Sequence, residues 1–496
     1  MVDDMIRIAR VLAVPAVGGY YTEDLAALRS HPLPLAERYT ADPVTPGFRH
    51  VREVAEAVSV GLVLDGAPSE WRLCREDGAP SEAPSESRLE DSGVPTTGGD
   101  VAWGDCVAVA YSGKAGREPV FRAEEGLATV RQVVAPALEG REVTTFRELA
   151  GVVDNLTESV EVVKPPPPSM GVTRRDLLTV PIRLLRAARG EEEEPDEPPP
   201  EFVTVERRLQ AAVRYGVSQA LLRAVAIARG VTMAEVIADE WGLPLPDAPV
   251  PIHAQSGGER YHNADKMIVR RVASLPHALV DDIPEQLGAD GGRLTQYVRW
   301  LKERIQALGG ADYRPTIHLD VHGALGQICD NELGRVLGHL YALESAARPY
   351  PLRVECPVIM DSREAQIEAM KTLREYVRFR KMDVQLVADE WANTLEDIRA
   401  FVSARAADVI QVKMPDLGSV HNSVEAVLAC KGGGVGAFLG GSCAETDLSA
   451  QVAVHVALAT RPDMIMARPG MGVDEGIMIV QNEMARTLAW VRVRKP

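Results

Sequence analysis

The chain has 496 residues and a formal net charge of −17 at pH 7, with 46% hydrophobic and 25% charged residues. That length calls for more than one domain, and the composition is that of a folded globular protein. The acidic balance argues against a nucleic-acid surface, because such a chain has little with which to displace counterions from a phosphate backbone. No apolar run approaches a membrane span, and Asp3 and Asp4 stand where a secretory leader would carry positive charge. The six cysteines (Cys74, Cys106, Cys329, Cys356, Cys430, Cys443) include no CxxC pair, so neither a disulfide framework nor a zinc knuckle is indicated. A cytoplasmic protein is expected.

In chain order, residues 66–100 repeat Ala-Pro-Ser-Glu and read as a solvated insertion. Val101–Tyr111 alternates as a strand does, and Glu124–Val134 has helical spacing that Pro136 should stop. Residues 163–201 carry two proline runs and the acidic run Glu191–Glu194, and read as a second insertion. Helical spacing then runs from Val205 to Ala228 and stops at Gly230. Thr232-Met-Ala-Glu235 is a capping box for a short helix ending near Gly242. The first half is thus mixed α+β.

From Val250 onward β-rich runs alternate with amphipathic helical segments. The runs are Val250–Gln255, His277–Asp281, Thr316–His322, Leu352–Pro357, Gln385–Asp389, Val409–Pro415, Gly436–Cys443 and Met464–Pro469. Helical patterns such as Arg293–Leu308, Arg363–Arg378 and Asp447–Ala459 lie between them. Eight strands separated by helices predict an α/β fold of the (β/α)8 (TIM) barrel type. An open doubly wound sheet would need a phosphate loop after its first strand. The one glycine cluster near a strand, Gly432–Gly436, precedes that strand and reads as a helix stop.

Barrel interiors are normally filled by branched apolar residues, yet four successive strands depart from this. His318, Asp320 and His322 share a face opposite Ile317, Leu319 and Val321. Arg353 and Glu355 oppose Leu352, Val354 and Cys356. Gln385 and Asp389 oppose Leu386 and Ala388, and Gln411 and Lys413 oppose Ile410, Val412 and Met414. With the apolar set packed under helices, the polar set points inward. Asp320, Glu355 and Asp389 then fall near the C-terminal strand ends, the active face of such barrels. Oxygen ligands from separate strands suit Mg²⁺ and suit zinc poorly. The bland alternative is a salt-bridge cluster of these acids with Arg353 and Lys413. Lys413 is the candidate base, since a divalent ion and partial burial would bring its neutral amine within reach at about pH 8. His277, beside the second strand, is a candidate second proton-transfer group. The pattern suits proton abstraction next to a carboxylate.

These residues resemble the enolase superfamily, and the surrounding strings are similar to those of the 3-methylaspartate ammonia-lyases. The strings include Gln255-Ser-Gly-Gly-Glu-Arg-Tyr261, Leu275-Pro-His-Ala278, His318-Leu-Asp-Val-His-Gly323 and Ala388-Asp-Glu-Trp391. Gln411-Val-Lys-Met-Pro-Asp-Leu-Gly418, Gly440-Gly-Ser-Cys-Ala-Glu-Thr446 and Pro469-Gly-Met-Gly-Val-Asp-Glu-Gly476 extend the match. The first half contributes Gly18-Gly-Tyr-Tyr21, Gly104-Asp-Cys106, Tyr111-Ser-Gly113 and Arg214-Tyr-Gly216.

The resemblance implies an enolase-like fold, with an α+β domain over residues 1–248 capping a catalytic barrel over residues 249–496. It implies reversible, Mg²⁺-dependent elimination of ammonia from (2S,3S)-3-methylaspartate to give mesaconate. By position, Asp320, Glu355 and Asp389 would bind Mg²⁺, Lys413 would take the C3 proton, and His277 would serve the opposite face. Gln255, Gln411, Ser442 and Cys443 would contact the amino-acid substrate. A monovalent cation such as K⁺ and a homodimer are implied as well. Three positions depart from the usual pattern. Ser442 stands where threonine is usual, Ala110 where many relatives carry glutamine, and Met466 where leucine is common. Losing the amide at 110 would enlarge the amine or methyl pocket and forfeit a hydrogen bond worth about 1 kcal/mol. The alternatives are another enolase-type dehydration or cycloisomerisation, and a catalytically idle scaffold whose insertions bind a partner.

Overall fold

The computed structural model describes residues 6–30, 33–34, 36–66, 101–163, 202–467 and 471–494. The two expected insertions fall on residues 67–100 and 164–201, outside the described residues.

Three strands near the N-terminus, β1 (Arg7–Glu23), β2 (Arg52–Asp65) and β3 (Val101–Val107), pair antiparallel in the order β1-β2-β3. The β2 sequence is dense in Val, Leu and Ala, and Val58, Val60, Leu62 and Leu64 are buried. Against this sheet lies the helix Ala211–Arg229. It is apolar almost all round and correspondingly buried on nearly every side. Two glycines set the approach. A Cβ on Gly216 would collide with the Cys106 backbone nitrogen, and one on Gly104 with the Gly216 carbonyl oxygen. Gly216→Ala is therefore expected to destabilise the fold by about 1–3 kcal/mol, read as a lower urea midpoint at unchanged m-value.

Three expectations for this half need amendment or hold. The helix expected from Val205 begins only at Ala211, because Phe202–Arg208 is a strand (β5) paired antiparallel with β4 (Thr157–Val163). Val203 and Val205 fit a period of two as well as they fit a helix, and cross-strand pairing decides. Residues Leu156–Leu209 form a second compact unit, separate from the one containing Met1–Asn155 and Gln210–Pro496. Nor does Pro136 stop its helix. A π-turn at Val130–Val134, with Ala135 N–H bonded to the Val130 carbonyl, opens the backbone where the ring would otherwise clash. The helix then continues through Ala135–Leu138. At Thr232 the capping box forms as expected. Glu235 N–H donates to Thr232 Oγ1 at 3.2 Å, and Thr232 N–H donates to Glu235 Oε2 at 2.7 Å.

The second half closes into a barrel of eight parallel strands: β6 (Ile252–His253), β7 (Ser274–His277), β8 (Thr316–Asp320), β9 (Leu352–Glu355), β10 (Val384–Ala388), β11 (Val409–Lys413), β12 (Gly436–Gly440) and β13 (Met464–Met466). Each falls on or beside an expected run. The second lies ahead of it: β7 ends at His277, because apolar residues flank that histidine on both sides and leave the frame to pairing with β8. Several expected runs continue past the ladder into loops over the barrel mouth. The lower interior is filled by Val387, Val409, Phe438, Met464 and Met466. No helix among the described residues is long and apolar enough to cross a membrane.

The three-stranded sheet sits on the loop after β12. A bulge at Gly18-Gly19 lets Gly19 N–H donate to the Glu445 carbonyl at 3.0 Å. Thr446 Oγ1 donates to Asp105 Oδ2 at 2.5 Å, and Ser442 Oγ donates to the Ala108 carbonyl at 2.7 Å. The sheet is thereby fixed over the C-terminal ends of the strands.

Candidate active site

In β8 to β11 the apolar residues Ile317, Leu319, Val354, Leu386, Ile410 and Val412 are fully buried. Pleat alternation then sends His318, Asp320, Glu355, Gln411 and Lys413 into the barrel, with Asp389 directly after β10. Residues around these strand ends take left-handed backbone: His277 (φ 64°), His322 (41°), Cys356 (44°) and Trp391 (67°). Such conformations cost about 1–3 kcal/mol each and concentrate at functional sites.

The expected acid–base residues form one buried network. Lys413 Nζ donates to Asp389 Oδ2 at 2.6 Å. Glu355 accepts from Gln411 Nε2 at 2.5 Å and meets His318 Nε2 at 2.7 Å. Asp320 accepts from the His322 backbone N–H at 2.9 Å, and its Oδ2 lies 3.5 Å from His277 Nε2. With eight strands in the ring, β7 and β11 lie four apart, so His277 and Lys413 face each other across the mouth.

Burial first, and then the charge of neighbouring acids, raises the pKa of Asp320 and of Glu355 above the ordinary carboxylate range. His277 is pushed down to about 3 by burial and by the Lys413 charge, so its imidazole is neutral near pH 7. Lys413 differs from expectation. Burial does oppose its ammonium, but Asp389, with Glu390 and Asp416 nearby, outweighs that effect and raises the pKa above that of an ordinary lysine. Direct carboxylate contact wins over desolvation here.

Among the described residues Arg353 makes no salt bridge. Its Nε donates to Gln385 Oε1 at 2.8 Å, and its Nη1 lies 3.5 Å from Met464 Sδ near the base of the barrel. Of the remaining expected residues, Gln255 and Cys443 line a cavity of about 650 Å³, together with Ala110 and Tyr111. The Tyr111 ring centroid is 5.6 Å from Lys413 Nζ, which links this cavity to the acid network. Burial pushes the Cys443 thiol up to about 11. Ser442, in contrast, directs its hydroxyl to the Ala108 carbonyl and joins cap to barrel, while Met466 belongs to the apolar interior.

Two sets of side chains could hold a metal. His253, His277 and His318 are the only group of three among the described residues whose donor atoms lie within 4.8 Å of one another. Most of their nitrogens are already engaged: His253 Nδ1 with Ser274 Oγ at 3.0 Å, His253 Nε2 with His277 Nδ1 at 3.4 Å, and His318 Nε2 with Glu355, which leaves buried His318 Nδ1 with no hydrogen-bond partner among the described residues. Asp320, Glu355 and Asp389 are spread by their hydrogen bonds but supply oxygen donors from neighbouring strand ends. The raised Asp320 and Glu355 mark a surplus of buried negative charge that a hard divalent cation would neutralise. The carboxylates fit Mg²⁺; the imidazoles are better read as one wall of the site.

One residue had no signal in the sequence pattern. Arg117 reaches from the cap loop after Tyr111 into the barrel mouth, with its side chain 1% exposed. Its Nε donates to Asp416 Oδ2 at 2.6 Å, its Nη1 to Glu390 Oε2 at 2.5 Å, and its Nη2 lies 3.5 Å from Asp389 Oδ1. The loop is seated further by Asn393 Nδ2, which donates to the Ala115 carbonyl at 2.6 Å.

The family described as "Methylaspartate ammonia-lyase C-terminus" matches residues 244–493, and "Methylaspartate ammonia-lyase N-terminus" matches residues 6–71, 94–173 and 188–242. Methylaspartate ammonia-lyase 2 of Carboxydothermus hydrogenoformans is 40% identical over 489 residues, 99% of this chain and 99% of its own. The crystal structure of β-methylaspartase from Clostridium tetanomorphum as its Mg complex is 38% identical, with TM-score 0.76 over 99% of this chain and 100% of that one. The Citrobacter amalonaticus methylaspartate ammonia lyase containing (2S,3S)-3-methylaspartic acid is 37% identical, with TM-score 0.78 over 98% and 100%. Matched from end to end at this level of identity, the chain belongs to the methylaspartate ammonia-lyase family of carbon–nitrogen lyases.

Proposed function

We propose that this protein eliminates ammonia from (2S,3S)-3-methylaspartate to give mesaconate, reversibly. The observation that carries the reading is Lys413 Nζ, 2.6 Å from Asp389 and in one buried network with Asp320 and Glu355. The substrate class rests on the names of the relatives and on the amino acid held by the Citrobacter enzyme.

In this reading Lys413 Nζ takes the C3 proton, the C2–N bond breaks, and the electron pair of the C3–H bond becomes the C2=C3 double bond as ammonia leaves. Asp320, Glu355 and Asp389 would hold Mg²⁺. Bound there, the ion would hold the substrate carboxylate, offset the charge that builds on it, and lessen the pull of Asp389 on the Lys413 proton, favouring the neutral amine. His277, neutral and across the mouth, would assist on the opposite face or serve the other C3 epimer. Gln255, Gln411 and Cys443 would contact the amino acid. Buried Gln411 Oε1 accepts no hydrogen bond among the described residues and would accept one from the ammonium group. Ser442 would act through the cap loop that it holds.

The test is incubation of the purified chain with 3-methylaspartate, with and without EDTA. Mesaconate and ammonia are expected in equal amounts, and only without the chelator. Release of water without ammonia would favour another enolase-type reaction and overturn this one. The reading carries with it a monovalent cation such as K⁺, a homodimer, a cytoplasmic location, and residues 1–248 as cap to a catalytic domain of residues 249–496.

Ala110 bounds the same cavity and is the second point of test. Ala110→Gln is expected to narrow amine acceptance in the reverse addition to mesaconate, methylamine losing more than ammonia. Identical profiles for the two amines before and after the change would reject a role for this position in pocket size.

A further inference from the structure

Two motif acids flank the network at short range in sequence. Glu390 follows Asp389 directly, and Asp416 lies on the one-turn helix Met414–Leu417 that begins after Lys413. Both are buried, and each meets the same guanidinium. Arg117 thus joins the chain segment carrying Asp389 to the one carrying Lys413, and its third contact is Asp389 itself. The two Asp389 oxygens divide between the two cations, Oδ1 toward Arg117 and Oδ2 toward Lys413. Arg117 belongs to the cap loop and is not among the residues lining the substrate cavity. A planar guanidinium can meet several carboxylates at fixed angles. A lysine ammonium, a point charge on a flexible stem, cannot span them in the same way.

Resting on the lyase reading above, we propose that Arg117 is a positioning residue. It fixes the Asp389 carboxylate and thereby aligns Lys413 Nζ for proton abstraction, making a seated cap loop a condition of an aligned base. It does not line the substrate cavity. Its removal should therefore slow the chemical step and leave substrate affinity nearly unchanged.

The test is Arg117→Lys in the full chain with Mg²⁺, measured with 3-methylaspartate carrying hydrogen or deuterium at C3. A loss of about 10²-fold in kcat is expected, the usual consequence of a misplaced reacting group, with little change in KM. The isotope effect on kcat/KM should rise above that of the parent protein, because proton transfer becomes more fully rate-limiting. That ratio does not depend on how much protein is folded, so a merely structural role would leave it unmoved. An unchanged isotope effect overturns the proposal while leaving the lyase reading intact. A parent protein that releases no ammonia from 3-methylaspartate overturns both. If Arg117→Lys does not fold, Asp416→Asn, which removes one of the three carboxylates, is to be measured in the same way. A smaller rise in the same ratio is then expected, and no rise overturns the proposal.

Discussion

Replacing Lys413 by methionine is expected to lower kcat by about 10²–10⁴-fold, the usual worth of a positioned acid–base group. Methionine is chosen because it fills nearly the same volume, so packing in the buried mouth is conserved. The substitution removes the partner of Asp389 Oδ2, but Arg117 stays near Oδ1, and the carboxylate is not left without a cation. Thermal melting followed by circular dichroism should show a folded protein. Little or no loss of ammonia release in that folded variant would take Lys413 out of the reaction. His277→Ala provides the contrast. Across the barrel, it should affect the other C3 epimer more than the (2S,3S) substrate.

The second large effect concerns the cation. Chelation should abolish turnover by on the order of 10³-fold or more, since an ion at these carboxylates would supply several kcal/mol of charge stabilisation. Added Mg²⁺ should restore it. The raised Asp320 and Glu355 add a direction with pH. Groups with pKa above the ordinary carboxylate range hold protons at higher pH, and each held proton competes with the cation. Falling pH should therefore weaken Mg²⁺ binding before ordinary carboxylates titrate, and binding should release protons. Calorimetric titration in two buffers of different ionisation enthalpy measures both. A Mg²⁺ affinity independent of pH from 8 to about 6 would contradict the assignment of these acids as ligands.

The barrel was legible because short β-rich runs recur eight times with helical patterns between. The polar face in β8 to β11 was legible because barrel interiors rarely tolerate it. Ionic residues inside a sheet cylinder demand an explanation even before any partner is known. Where expectation went astray, local pattern was outvoted by tertiary pairing. Val203 and Val205 satisfied two periods at once, and Pro136 was accommodated by a π-turn. Ser442 is expected to contact substrate, and nothing in the sequence signals that its hydroxyl also donates to a backbone carbonyl 334 positions away. Arg117 lies 272 positions from Asp389 in a polar loop where an arginine is ordinary, so no spacing rule could have singled it out. The high pKa of Lys413 was missed for a related reason, because its sign depends on which carboxylate sits within 3 Å and not on burial alone.

The bond from Ser442 to the Ala108 carbonyl has one more implication, for anyone altering this enzyme. The resemblance in sequence implies that positions 442 and 110 depart from the usual pattern, and Ala108 is only two residues ahead of Ala110 along the backbone. A bulkier hydroxyl at 442 is expected to move the backbone from which residue 110 projects, which would couple the two positions. Grafting them singly and summing the outcomes will mislead, and the pair has to be exchanged together.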